Sequence, residues 1–168
     1  MSKELIAFYS RADENYISGT LKNLSVGNTE IVAETIRDLT GADLFKIEQV
    51  VAYSESYNIC IEEARTDKQK NVRPKLKNCI SSIDEYDVIY LGFPNYWGTM
   101  PMAVFTFLEN FDFSNKIIKP FCTHEGSGMG NSIDDIKKTC PFAVVESGLA
   151  LYGSRVSREK SSIKEWLG

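Results

Sequence analysis

The sequence has few of the residues that build metal centres or disulfide frameworks. It contains one histidine and four cysteines in 168 residues, and no two cysteines form a C-x-x-C pair. Zinc sites in proteins are built mainly from clustered cysteines and histidines, so a zinc site is not expected. The spacing instead predicts reduced, mostly buried thiols of a cytoplasmic protein.

Long apolar runs and an excess of positive charge are also missing. The apolar run nearest the N-terminus, residues 5–9, is too short for a signal-peptide core or a membrane span. The formal net charge is −4, and this disfavours nucleic acid as a partner because phosphate backbones are bound by basic faces. We therefore expect neither a membrane nor a nucleic acid as a partner.

The sequence does contain a regular alternation of short apolar runs with amphipathic segments. Strands are predicted at 5–10, 42–48, 86–94, 116–123 and 143–153, and helices at 30–39, 58–72, 102–111, 132–139 and 157–167. Gly41 is predicted to cap the first helix in the left-handed conformation, and Ser157 to cap the start of the last. The alternation favours parallel crossover units in one doubly wound α/β domain over residues 1–168.

Ligands of such sheets bind at the carboxyl ends of the strands, so the loops after Tyr9, Phe93 and Cys122 are the candidate binding loops. The first loop contains two small polar turns, at 18–20 and 27–29. Only the second turn adjoins a predicted helix start, where backbone N–H groups bind phosphate without a basic residue. A plain N-cap followed by an acidic first turn explains the same residues equally well.

The second loop, residues 93–101, places Tyr96 and Trp97 side by side between two prolines. Exposed aromatic side chains in a rigid loop are costly unless they cover something, and a planar ligand stacked on them would explain their position. The alternative is a small hydrophobic plug over the sheet edge. Gly98 follows them and lets the backbone turn freely.

The third loop, residues 123–132, has three glycines and the single histidine, His124. Such a loop can wrap a ligand with main-chain groups, although a flexible turn before the next helix has the same composition. His124 is interpreted as a polar loop residue rather than a catalytic base. No carboxylate pair and no Ser-His-Asp order is present for catalysis, so the three loops together predict a site for a phosphorylated, planar cofactor and no catalytic residue.

On these residues the sequence resembles the flavodoxins, most closely the short-chain, flavodoxin-like group of bacterial FMN proteins. The resemblance runs from "FYS" and "GNTEIVAETI" through "YDVIYLGFPNYWGTMP" to "FCTHEGSGMGNS". It implies a three-layer sandwich with a five-stranded parallel sheet in order 2-1-3-4-5, helices on both faces, and FMN as the cofactor. The resemblance assigns the phosphate to Ser10, Gly27, Asn28, Thr29 and Glu30, and the ring to Pro94, Asn95, Tyr96, Trp97, Gly98, Thr123, His124, Glu125, Gly126, Ser127 and Gly128.

The chain departs from the flavodoxin pattern in the length of its first loop. Flavodoxins pass from strand to helix through a compact loop, whereas residues 11 to 27 separate Ser10 from the phosphate turn here. This leaves the role of Ser10 open and is expected to bring Asp13, Glu14, Asn15 and Tyr16 near the edge of the cofactor. We hypothesise that the insertion folds over the site as a lid or as a partner-docking loop. Loops of this length are usually functional or disordered.

The resemblance implies an electron carrier that works between redox partner proteins. One alternative is an NAD(P)H-dependent FMN oxidoreductase acting on quinones or similar acceptors, which needs room for nicotinamide over the flavin. Tyr96, Trp97 and the insertion are expected to crowd that space. A non-redox binding module is the third reading, and the aromatic and glycine-rich loops disfavour it.

Overall fold

The computed structural model describes residues 3–168 and shows a parallel sheet between two layers of helices. The strands are β1 (Lys3–Phe8), β2 (Asp13–Ile17), β3 (Thr20–Leu24), β4 (Asp43–Lys46), β5 (Tyr86–Pro94), β6 (Ile117–His124), β7 (Val144–Val145) and β8 (Leu149–Tyr152). The α-helices are α1 (Asn28–Thr40), α2 (Tyr57–Gln69), α3 (Met102–Glu109), α4 (Ser132–Thr139) and α5 (Lys160–Leu167), and a 3₁₀ helix covers Gly153–Arg158.

The central sheet has the order β4-β1-β5-β6, with β7 and β8 both pairing with β6 at the far edge. Every pairing in it is parallel. Numbered along the chain without the β2–β3 pair, this is the order 2-1-3-4-5 with the fifth place shared by two short strands. The flavodoxin-like fold is therefore confirmed, and the sheet differs in that the last strand, predicted as one piece over 143–153, is divided.

Pro120 in β6 accounts for the division of the last strand. The Ile118 carbonyl accepts a hydrogen bond from the Glu146 N–H (3.0 Å), so the backbone groups of Ile118 face the fifth strand. Groups two residues apart in a strand point the same way, which turns Pro120 toward the fifth strand as well. Proline has no N–H, so the ladder loses a donor at the point where the chain turns through Gly148, whose φ is +78°.

The two faces of β5 carry the two halves of the core. Val88 and Tyr90 pack in a cluster with the buried face of α1 and with α5, whereas Ile89, Leu91 and Phe93 pack with α3 and α4. This burial on both faces explains the near-continuous apolar run of 86–94, which is typical of a covered parallel strand.

The ends of the helices agree with the sequence at one position and differ at another. Gly41 adopts φ +75° and its N–H donates to the Arg37 carbonyl, which confirms the predicted left-handed cap of α1. Ser157 does not begin the last α-helix, since it lies inside the 3₁₀ helix and α5 begins at Lys160 after Glu159. Residues 153–158 form 3₁₀ turns instead, so the α-helix begins three residues later than predicted.

The inserted segment of the first loop is an antiparallel hairpin, a structure that the sequence analysis did not predict. Strands β2 and β3 pair from Asp13–Leu24 to Ile17–Thr20. Ser18 and Gly19 form the two-residue turn, with φ of +50° and +86°, as expected of the type I′ turns that suit tight hairpins. The turn at 18–20 is therefore the tip of a hairpin. Within residues 3–168, no helix is both long enough and apolar enough to cross a membrane.

Candidate functional site

A cavity of about 440 Å³ opens at the carboxyl ends of β1, β5 and β6. Ten of the sixteen predicted site residues line it: Asn28, Pro94, Asn95, Tyr96, Trp97, Gly98, Thr123, His124, Glu125 and Ser127. The other six, Ser10, Gly27, Thr29, Glu30, Gly126 and Gly128, are not part of its lining. The three loops that the sequence singled out thus meet at one cavity.

The start of α1 forms the end of the cavity suited to an anion. Gly27 precedes the helix, and the N–H groups of its first turn have no acceptor within the helix. Ser10 Oγ accepts a hydrogen bond from the Glu30 N–H (3.0 Å), so this serine takes the place of a capping side chain. The N–H groups of Asn28 and Thr29 remain without intrahelical acceptors, and Asn28 lines the cavity.

Gly27 is required here for space. A Cβ at this position would lie 2.2 Å from Ser10 Oγ and 2.6 Å from the Arg11 carbonyl oxygen. The close approach holds the end of β1 against the start of α1. Thr29 is buried and its hydroxyl lies 2.8 Å from that of Thr123, which ties the start of α1 to the end of β6.

Glu30 does not bring its negative charge to the cavity. Its carboxylate forms an ion pair with Lys46 (3.5 Å), and its N–H already donates to Ser10. Of the predicted phosphate residues, Asn28 alone lines the cavity, while Ser10, Gly27 and Thr29 set the geometry of the loop around it.

Residues 96–99 form a tight turn in which Trp97 and Gly98 both have positive φ, +56° and +87°. Asn95 fixes this turn to the third loop, because its side chain accepts from the Gly98 N–H (2.9 Å) and donates to the Gly128 carbonyl (2.8 Å). The Gly98 carbonyl accepts from the Asn131 N–H (2.7 Å). The second and third loops are therefore joined into one hydrogen-bonded unit.

The two aromatic residues of this turn are held by the protein itself. The Tyr96 ring packs edge-on against the ring of Tyr9, with 5.8 Å between the ring centres. Burial raises the pKa of Tyr96 well above the ordinary tyrosine value, so the phenol stays neutral. The Trp97 indole N–H donates to the Ile61 carbonyl of α2 (2.8 Å), although 44% of the residue is exposed.

The third loop presents His124 and Glu125 to the cavity. His124 Nδ1 accepts from the Gly126 N–H (2.8 Å), a role that requires the neutral ring, and burial lowers the pKa of His124. Its ring packs on Tyr152 at 4.7 Å. These contacts match a polar loop residue that shapes the loop, in keeping with its interpretation from the sequence.

Glu125 has a side-chain oxygen without a partner. Within the described residues 3–168, Glu125 Oε1 is buried and accepts no hydrogen bond. Gly153 lies close to both this oxygen and Asn28. A Cβ added to Gly153 would be 3.5 Å from Glu125 Oε1 and 2.4 Å from the Asn28 side-chain nitrogen. The cavity wall therefore has an acceptor beside Asn28 that is suited to a hydroxyl or N–H donor of a ligand.

One further wall of the cavity was predicted from the sequence only in part, through Asn15 and Tyr16 of the insertion. Arg11, Asn15 and Tyr16 from the inserted hairpin, Tyr57, Cys60, Ile61 and Ala64 from α2, and Gly153 all line it. The four α2 residues follow the spacing i, i+3, i+4, i+7, so they form one face of the helix. That spacing is a signal in the sequence, but it is equally typical of a helix packed on a protein core.

Arg11 and Glu14 fix the hairpin to the segment before α2. The Arg11 guanidinium donates to the carbonyl oxygens of Glu14, Ser54 (2.9 Å) and Glu55 (2.8 Å). Glu14 Oε1 accepts from the Tyr57 N–H (2.9 Å) at the first turn of α2. These contacts favour a fixed wall over the lid that we hypothesised from the sequence.

The same fold occurs in known flavoproteins, and a sequence model of the flavodoxins matches residues 21–168. The chain belongs to the flavodoxin family. Its fold is shared with a candidate flavoprotein from Bacteroides eggerthii (TM-score 0.78, 27% identity, 99% of this chain and 96% of that chain covered). A candidate flavoprotein from Bacteroides uniformis is similar at 24% identity (TM-score 0.78, 99% and 97% covered).

A flavoprotein from Lactobacillus acidophilus, solved in complex with FMN, has the same fold at 18% identity (TM-score 0.66, 100% of both chains covered). No curated protein sequence matches the chain. Membership of the flavodoxin family confirms the predicted cofactor, FMN.

The residues of this flavodoxin fit FMN. The first turn of α1 offers N–H groups and the Asn28 side chain to a phosphate. The partnerless Glu125 oxygen suits a donor group such as a hydroxyl of the sugar chain. Tyr16, Tyr57 and Trp97 supply flat apolar surface for a ring system. Among residues 3–168, no group of three or more His, Cys, Asp or Glu side chains is placed to hold a metal ion.

Proposed function

We propose that the protein is a cytoplasmic electron carrier, which binds FMN and passes electrons between redox partner proteins. FMN, when bound, supplies the redox chemistry, and the protein supplies binding, orientation and electrostatics. The chain's own part in this is the anion seat at the start of α1, the acceptor on Glu125 and the fixed aromatic walls.

The observation that carries the proposal is the size of the cavity together with its closed wall. Sites for small molecules in proteins span roughly 300 to 1,000 Å³, and this one is about 440 Å³. It is therefore large enough to hold a cofactor. The hairpin and α2 line one side of it and are tied to each other through Arg11 and Glu14, so this side cannot open for a nicotinamide without breaking these contacts.

The mouth of the cavity supports transfer to another protein. Trp97 and Tyr16 are each 44% exposed and both line the cavity. A partner that packs on these rings would bring its own redox centre near the cofactor without entering the cavity. An oxidoreductase of the NAD(P)H type would instead need the cavity to admit its second substrate.

The test is anaerobic addition of NADH or NADPH to the FMN-loaded protein, followed by absorption spectroscopy. We expect the oxidised flavin spectrum to persist with either nucleotide. Dithionite should bleach it, because this small chemical reductant needs no binding pocket of its own. Rapid bleaching by a nucleotide, followed by reoxidation with a quinone in repeated turnovers, would assign the protein to the oxidoreductases instead. Free FMN in the same buffer is the control for non-enzymatic reduction.

A further inference from the structure

The two aromatic residues of the second loop, Tyr96 and Trp97, make contacts with other parts of the protein. The Tyr96 ring packs edge-on against the buried ring of Tyr9, with 5.8 Å between the ring centres. The Trp97 indole N–H donates a hydrogen bond to the Ile61 carbonyl (2.8 Å), and the Arg65 guanidinium lies 5.5 Å from the centre of the Trp97 ring. Both residues line the cavity, and these contacts fix the orientation in which each ring meets it.

The hairpin adds a second aromatic surface. The rings of Tyr16 and Tyr57 lie 6.1 Å apart, tilted by 31°, and both line the cavity. Tyr16 remains 44% exposed despite this packing. An apolar ring left open at the wall of a cavity is the surface on which a planar ligand stacks.

The position of this pair is preorganised. Glu14 precedes Tyr16 by two residues on β2 and accepts from the N–H of Tyr57 itself (2.9 Å). Arg11 holds the base of the same hairpin to the carbonyl oxygens of Ser54 and Glu55. The two tyrosines are thus fixed relative to each other before any ligand arrives, so little freedom is lost on binding.

We propose that Tyr16, supported by Tyr57, is a contact for the ring system of the bound flavin, and that the hairpin exists to place it there. The inference rests on the proposed FMN site. It assigns a binding residue to the insertion itself, outside the loops at 94–98 and 123–128. The competing explanation is that Tyr16 only packs the hairpin onto α2.

The experiment compares three full-length variants, each freed of flavin and titrated with FMN and with lumiflavin, which has the ring system without the sugar chain and phosphate. Tyr16→Leu removes the aromatic ring and keeps an apolar side chain. Tyr16→Phe keeps the ring. Leu21→Ala is the matched control, because Leu21 lies directly opposite Tyr16 on β3 and is 42% exposed, yet does not line the cavity.

We expect Tyr16→Leu to raise Kd by roughly twofold to tenfold for both ligands, the range of an aromatic stacking contact. Tyr16→Phe and Leu21→Ala should retain the wild-type values. An unchanged FMN Kd in Tyr16→Leu would overturn the inference, and so would a loss confined to FMN, since that would place the effect at the phosphate end. An equal loss in Leu21→Ala would show a packing role alone. If the wild-type protein bound no FMN, the proposed function would fail instead.

Discussion

Alanine at Gly27 would separate the two segments that form the anion seat. Ordinary contact with a Cβ begins near 3.4 Å, whereas the Arg11 carbonyl oxygen would lie at 2.6 Å. Ser10 can rotate its side chain, but the Arg11 backbone cannot, so the segment that follows β1 and the start of α1 must move apart by about 0.8 Å. That displacement stretches the hydrogen bond from the Glu30 N–H to Ser10 Oγ, now 3.0 Å, beyond the usual range.

The cost has two parts. Overpacking against backbone costs roughly 1 to 3 kcal/mol, and loss of a helix cap costs about 1 kcal/mol. The free energy of unfolding should therefore fall by roughly 2 to 4 kcal/mol, which lowers Tm by about 4 to 16 °C in a chain of this size. A displaced anion seat should also lose a hydrogen bond to the charged phosphate, so FMN Kd should rise roughly tenfold to hundredfold.

Thermal unfolding and FMN titration of Gly27→Ala measure both effects, and Gly41→Ala is the matched control. Gly41 lies at the other end of α1 with φ +75° and no atom within 4 Å of a Cβ, so alanine there adds only backbone strain of about 1 kcal/mol. We expect Gly41→Ala to lower Tm by about 2 to 4 °C and to leave FMN Kd unchanged. A Gly27→Ala protein with wild-type Kd would refute the idea that this close approach builds the anion seat.

Other predictions concern the hairpin, the thiols and the histidine. Arg11→Met should speed amide hydrogen exchange across 13–24 and leave α1 protected, because the guanidinium bonds to Ser54 and Glu55 are lost; unchanged exchange would rule out Arg11 as the anchor. Iodoacetamide should modify exposed Cys79 first, since burial raises the pKa of Cys122 to about 12; early labelling of Cys122, read by mass spectrometry, would contradict this. Burial lowers the pKa of His124, so the flavin-free protein should lose stability as the pH falls below 6.5, and His124→Gln should lose less.

The order of strands and helices could be predicted because its signals are local. The apolar run of 86–94 and the spacing of buried Val32 and Ile36 in α1 depend on neighbours along the chain. The left-handed cap at Gly41 is likewise a property of a few residues. The division of the last strand depends on Pro120, which belongs to β6 and not to the divided strand. Only the register of β6 with β7 and β8 shows that the N–H missing from Pro120 falls at the break.

The hairpin structure and the α2 wall could not be predicted from the sequence, for a different reason. Most residues of β2 and β3 are polar, and the contacts that hold them join Arg11 to residues about 44 positions away. The helical spacing of Tyr57, Cys60, Ile61 and Ala64 shows that a face of α2 is covered, and it does not say whether protein or ligand covers it. Only the three-dimensional arrangement decides between the two.

The insertion also explains why Ser10 keeps its place beside α1 despite sixteen intervening residues before Gly27. A hairpin returns the chain to the point where it left, and the pair Asp13–Leu24 closes this one at its base. The added strands therefore project from the loop without spreading its ends, and Ser10 Oγ still reaches the Glu30 N–H at 3.0 Å. A long loop without this pairing would have to order its backbone by other contacts, at a larger entropic cost. The hairpin thus adds a wall to the cavity while the geometry at the start of α1 is kept.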